Sequence, residues 1–364
     1  MSSSRVKVLR YSGHKYFDLR IILAVISKSP IVIDKIREDD EAPGLSEAEV
    51  TLLRLVERLT NGSTVRINIT GTRVFLKPGI LVGGTFSFDT GLHRSMGYFL
   101  PLILLSSPFT KQPLEITLSG LTDGIAEDPN VDYFSSCFIP MLGEFGARHV
   151  ALRVNNRGFP PLGGGSVTIT AKPLRSLNPV NYIDTAPLKN IRGTITAVKV
   201  SPAVPSRVIH SAREYIDEKF PVSDVYLSTQ HVKGGLGGLS PGVSVVLFAE
   251  KKNGSILGIS ECILVGETAE EMGLRAARKL KKTVKQSGCV DEYFQPFILI
   301  LMIFCPMVRV SMRFGPLSKR CLKLIEFANS ALGLQFTVDS VEDTEESIVS
   351  IVGLGMANYA RVVS

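Results

Sequence analysis

Cysteine is scarce in this chain of 364 residues, and Cys137, Cys262, Cys289, Cys305 and Cys321 form no C-x-x-C pair. An odd, unpaired set argues against a disulfide framework and fits a reduced intracellular compartment. No Gly-Lys dipeptide occurs anywhere, which excludes a Walker A loop. The histidines, His14, His93, His149, His210 and His231, stand too far apart for a local zinc motif. The longest apolar run, Phe297 to Cys305, ends at Pro306, far short of the roughly 20 residues of a membrane span. Arg5 and Lys7 follow the first residues without an apolar stretch, so no secretory signal is expected. Neither sign of charge dominates: 41 Lys and Arg against 34 Asp and Glu leave +7. A pI near 9.1 suits RNA or an acidic protein partner without requiring either.

With 45% hydrophobic and 21% charged residues, wholesale disorder is excluded and a large core can be buried. The length allows two to three domains, and the chain is expected to be soluble, in the cytosol, nucleus or nucleolus.

Periodicity gives the organisation. Val6 to Leu9 reads as a strand, Phe17 to Ile26 as a buried helix, and Ile31 to Ile33 as a β-branched strand. Ser46 before Glu47 and Glu49 marks an N-cap, and Val50, Leu53, Val56 and Leu59 recur at helical spacing up to Asn61-Gly62. Strands at Thr64 to Ile69 and Arg73 to Leu76 turn around Gly71. The order βαβαββ then recurs from Thr85 to Ala171, and its later half recurs from Val308 to Val352. Strands and helices between about Thr185 and Gly288 form a separate α/β block. The expected fold is therefore α/β (α+β). Three βαβαββ units build a large domain from residues 1–184 and 289–364, and a smaller α/β domain is inserted at 185–288.

The clearest motif is Arg157-Gly158-Phe159-Pro160-Pro161-Leu162-Gly163-Gly164-Gly165, between two strands. Its glycines permit a tight turn whose N–H groups can cradle a phosphate; a plain glycine-rich hairpin turn is the competing reading. The block resembles the R-G-[FY]-x-P-x-G-G-G signature of the RNA 3′-terminal phosphate cyclase family. Lys77 to Gly84 resembles that family's P-G-x-x-x-G-G segment, and Ile36-Arg37 with Pro43-Gly44-Leu45 its I-R…P-G-L segment. Ser240-Pro241-Gly242 sits where the family's insert carries a similar turn. The resemblance spans nearly the whole chain and implies three βαβαββ units with a small inserted domain.

The departures are as informative. The family's cyclases use a histidine near the C-terminus to take AMP from ATP and pass it to an RNA 3′-phosphate, a role suited to imidazole. Here the matching stretch, Pro316 to Cys321, reads P-L-S-K-R-C. A glycine-rich run before the first helix is replaced by Ser12-Gly13-His14-Lys15-Tyr16-Phe17, with Arg20 alone retained, and Glu49 stands where many cyclases have a histidine. This pattern resembles the eukaryotic cyclase-like branch. That resemblance implies no cyclase activity and no cofactor. It also implies a place in the nucleolar small-subunit processome, a stable complex with a ribosome-assembly GTPase, and a part in pre-rRNA cleavage. Two alternatives stay open: a pre-rRNA endoribonuclease, and a cyclase with a substitute nucleophile.

Arg20, Arg157, Gly163, Gly164 and Gly165 are the candidate anion or RNA ligands, and no catalytic or metal set is assigned. Arg275, Arg278, Lys282 and Lys285 stripe one face of the insert's last helix, opposite Met272, Ala276, Leu280 and Val284. That face is either solvated or meets RNA or an acidic partner. Asp123, Asp128 and Asp132 could suggest a metal, but helix capping is the preferred reading. Lys15, Tyr16 and Phe17 could hold RNA or be buried, and Glu342, Asp343, Glu345 and Glu346 read as a solvated acidic turn. Apart from its complex the chain is expected to be monomeric and away from membranes.

Overall fold

The structure, a computed structural model, describes residues 8–124, 127–221, 224–232, 234–286, 288–359 and 361. Three units share one sheet plan. In the first, Leu9–Ser12 pairs in parallel with Ile31–Asp34, Val74–Lys77 pairs antiparallel with that strand, and Thr64–Ile67 closes the far edge. The second repeats the plan with Gly84–Asp89, Leu114–Gly120, Gly165–Ala171 and Ala151–Asn156. The third repeats it with Asn181–Tyr182, Arg309–Phe314, Ser347–Val352 and Thr337–Ser340. A parallel pair needs a crossover, and in each unit a helix supplies it.

Those crossover helices, Phe17–Ser27, Met96–Ser106 and Gln295–Ile303, are apolar on nearly every face. They cannot lie at a surface, so they fill the centre, where the second touches the first and the third. The second helix of each unit starts from a capped turn. Ser46 and Glu49 form a reciprocal capping box at the start of Glu47–Leu59. Asn130 caps the helical run that begins at Val131, and Ser318 caps Lys319–Leu332. A cluster of Tyr133, Phe134, Phe138, Tyr293, Phe294 and Phe297 locks the second unit to the third.

One expectation is corrected, and the expected third unit is found. Among the described residues the first strand runs over Leu9–Ser12, further along than expected; Val6 and Lys7 of the expected span lie outside the described residues. The third unit is whole. Its opening strand is only two residues long, and its crossover helix is so uniformly apolar that it shows no periodicity.

The inserted α/β domain interrupts this third unit between its first strand and first helix. Its sheet runs Val225–Val232, Leu188–Val198, Gly242–Lys251, Ile256–Cys262 in spatial order, with Ala203–Lys219 and Ala269–Gln286 packed together against it. Ser223, expected to open its edge strand, is outside the described residues. The insert has its own core, including Ile191, Ile195, Val208, Ala212, Val245, Met272, Ala276 and Leu280.

We propose residues 185–288 as the limits of the insert. The chain leaves and re-enters the large domain at one place: Asp184 O accepts from Asn253 Nδ2 at 3.2 Å and lies 3.8 Å from Cys289 Sγ. Replacing 185–288 by a short Gly-Ser link should leave a cooperative urea transition and the large domain's far-UV spectrum. Its midpoint should fall, because Tyr133 and Cys137 lose the cover of Gly258. Loss of all cooperative structure would show that the boundaries are wrong.

Candidate functional site

The loop at Ser12 to Tyr16 runs from the first strand into the first helix, and Arg20 braces it from below. Its guanidinium donates to Gly13 O at 2.7 Å and to Ser12 O at 3.3 Å, and packs against the rings of Tyr11 and Phe327, which touch each other. Burial holds its pKa below the usual arginine value. Tyr16 packs against the core and Phe17 is buried in it.

Arg157 is 3% exposed and bound on three sides. It donates to both oxygens of Asp132 at 2.5 and 2.9 Å and to Gln230 Oε1 of the insert at 2.8 Å, with Asp123 at 3.5 Å. Burial pulls its pKa down, but the two carboxylates outweigh it and raise the net value. Asp123 is also held by Thr122 and Ser244 hydroxyls, at 2.7 Å each. Thus the aspartates read as helix caps serve arginines instead: Asp123 and Asp132 face Arg157, and Asp128 faces Arg94 at 2.6 Å through both oxygens. No group of three or more metal-ligating side chains occurs among the described residues.

The glycine loop after Arg157 is seated against the insert. Arg157 N donates to Leu236 O at 2.9 Å, Leu162 N to Ser240 Oγ at 3.0 Å, and Leu239 N to Gly163 O at 3.0 Å. Gly158 N donates to Thr122 Oγ1 and Gly163 N to Phe159 O, both at 2.9 Å. Gly163 and Gly164 have φ of 65° and 85°, and Gly165 begins a strand. The turn is as tight as its glycines imply, and these amides are engaged within the chain.

Beside this joint lies a cavity of about 580 Å³ shared by the second unit, the insert and the third unit. Asp128, Tyr133, Glu261, Asp291, Tyr293 and Arg320 are among its walls. Arg320 Nη2 in turn reaches Asp18 of the first unit at 2.5 Å, which ties the cavity wall to that unit. Burial, followed by Asp18 and Glu49, pushes the Tyr98 hydroxyl far up. Burial raises Tyr293 as well, against the pull of Arg320. A pattern emerges. Arg37 is chelated by Glu49 at 2.7 and 2.9 Å, Arg94 by Asp128, Arg157 by Asp132 and Arg320 by Asp18. Each of these four arginines already holds its own carboxylate, which lowers the positive charge left for a polyphosphate. Arg94, Asp18, Tyr98 and Tyr293 were invisible in sequence, since no spacing links them. Arg320 lies within the P-L-S-K-R-C stretch.

The basic helix divides into two sets. Arg275 is bound to Glu267 at 2.7 Å, to Glu261 and to Cys262 O, and Lys279 also holds Glu261. Arg278, Lys282 and Lys285 are exposed and unpaired among the described residues. The candidates therefore do not form one site: Arg157 and Gly163 to Gly165 share the joint, whereas Arg20 and the helix lie elsewhere.

The model of the RNA 3′-terminal phosphate cyclase family matches residues 9–338. The chain belongs to this family. Among its members, the chain is 34% identical to the RNA 3′-terminal phosphate cyclase-like protein of Bos taurus, over 99% of this chain and 100% of the other. It is 33% identical to the Homo sapiens protein of the same description, over 98% of each. It is 36% identical to the rRNA processing protein rcl1 of Schizosaccharomyces pombe, over 83% of each. Its affinity within the family is thus with the eukaryotic cyclase-like proteins. The stretch Pro316 to Cys321 supplies Ser318, Lys319 and Arg320 to the cavity, which has no histidine among its walls.

Two predictions follow from these contacts. A Cβ on Gly238, whose φ is 60°, would run into Arg157 O and Gly163 O, while one on Gly235 meets nothing within 4 Å. In urea unfolding, Gly238→Val should cost about 2–5 kcal/mol and Gly235→Val less than about 0.5. Equal effects would mean that the joint does not depend on this close approach.

Asp291 is buried and its carboxyl is pushed up to about 6 by burial, against hydrogen bonds from Tyr133, Phe294 N and Gly258 N. Below the ordinary value of 3.8 both folded and unfolded chains hold the proton. Between 3.8 and about 6 only the folded chain does, so stability falls as pH rises through this window. Asp291→Asn removes that dependence. Relative to the native protein, it should gain up to about 3 kcal/mol between pH 4 and pH 7, read from urea midpoints. A pH-independent difference would contradict the burial argument.

Proposed function

We propose that this chain is a factor of ribosomal RNA processing, a cyclase fold that works without cyclase chemistry. It acts in the nucleolus within the small-subunit processome, and a ribosome-assembly GTPase holds it there. The observation that carries this reading is the stretch Pro316 to Cys321, which supplies Ser318, Lys319 and Arg320 to the central cavity in place of a nucleophilic imidazole. The paired arginines support it, because a site whose arginines are neutralised suits standing contacts better than turnover of a triphosphate. The likeness to a protein described as an rRNA processing protein adds the process itself. Docking through a protein, with RNA as an auxiliary contact, accords with a charge of only +7.

The reading is tested by pulling tagged full-length chain from nuclear extract after nuclease treatment, with washes of rising salt. A GTPase and processome proteins should remain after the RNA is gone, since a largely apolar interface is little screened. Loss of every partner on RNA digestion would leave an RNA-tethered factor instead. Incubation with labelled ATP should leave the protein unlabelled; covalent AMP on the chain would restore the cyclase.

A further inference from the structure

The free part of the basic helix faces an acidic wall. Arg278, Lys281, Lys282 and Lys285 line one side of a groove of about 960 Å³, and Asp343 and Glu345, in the turn between the last two strands, line the other. Tyr215, half-packed on the insert's core from the neighbouring helix, lines the same groove. Arg313 and Glu346 also line it but are taken up with each other at 2.5 Å. Among the described residues no ion pair joins the two walls, and the four cations carry none at all.

An occupant of one charge sign is repelled by one wall: a basic peptide by the helix, an acidic one by the turn. A single strand of RNA carries both of the required faces. Its phosphates are anionic, and the edges of cytosine and adenine present amino donors that carboxylates accept. Bases also stack on an aromatic ring whatever their identity. We propose that this groove binds single-stranded RNA. The backbone lies on Arg278, Lys281, Lys282 and Lys285, a base lies on Tyr215, and amino-bearing base edges face Asp343 and Glu345. A duplex would bring a second backbone against the acidic turn and is excluded by repulsion. The inference rests on the RNA-processing reading and names the strand's path and the form of RNA accepted.

The test uses full-length protein and fluorescence anisotropy with labelled C-rich, A-rich and U-rich 12-mers and a duplex. Native protein should bind C-rich and A-rich strands over U-rich ones and reject the duplex. The log–log salt slope should be no steeper than about −3 for four contacts. Lys282→Gln with Lys285→Gln should weaken every strand and flatten that slope by about 1.4. Tyr215→Ala should weaken binding at least about fivefold, with Tyr215→Phe unchanged. Asp343→Asn with Glu345→Gln should abolish the base preference and admit the duplex. If RNA binds but these variants behave like native protein, the groove is not the site, while a salt-resistant GTPase complex would leave the functional reading standing. If the groove behaves as described but no processome partner is retained, the functional reading fails alone.

Discussion

The arrangement hangs on one buried guanidinium. Arg157 leaves the second unit's sheet at its edge and is enclosed by Asp123 and Asp132 from that unit and by Gln230 from the insert. Removing one partner from such a set costs on the order of 3–5 kcal/mol, because the remaining charge is stranded away from water. The constraint has geometric consequences. Gln230 must present its carbonyl here, which fixes the edge strand of the insert, and the turn at Gly234–Gly237 must lie against the backbone that follows Arg157. Everything that opens between insert and repeats, including the central cavity, is positioned by that anchorage.

Around the cavity the fold sets arginines against carboxylates drawn from distant parts of the chain. Glu49, Asp128 and Asp18, far apart in the chain, neutralise Arg37, Arg94 and Arg320. The capping box makes Glu49 doubly committed, since the same carboxylate accepts from Ser46 N at 2.8 Å.

How much of this was readable in advance depended on whether the signal was local. Helix Glu47–Leu59 announced itself through Ser46 and a 3.6-residue period, and the glycine loop through its motif. The third unit's opening was not readable, because Asn181–Tyr182 is too short for any period and Gln295–Ile303 is too apolar to show one. The site was harder still. Asp18 and Arg320 meet across almost the full chain, and the groove's acidic wall was legible only as a solvated turn. Charges that pair by topology leave no mark in spacing.

The position of the insert also sets an order of assembly. During synthesis the first two units can complete their sheets as they emerge, since their strands lie close in sequence. The strand Asn181–Tyr182 has to wait for Arg309–Phe314, about 130 residues further on, with a whole domain formed between them. Until then the apolar flank of the second crossover helix lacks the third that packs on it. The last quarter of the chain is thus the clasp of the molecule. Its late arrival gives a growing polypeptide an interval in which its centre is open to chaperones.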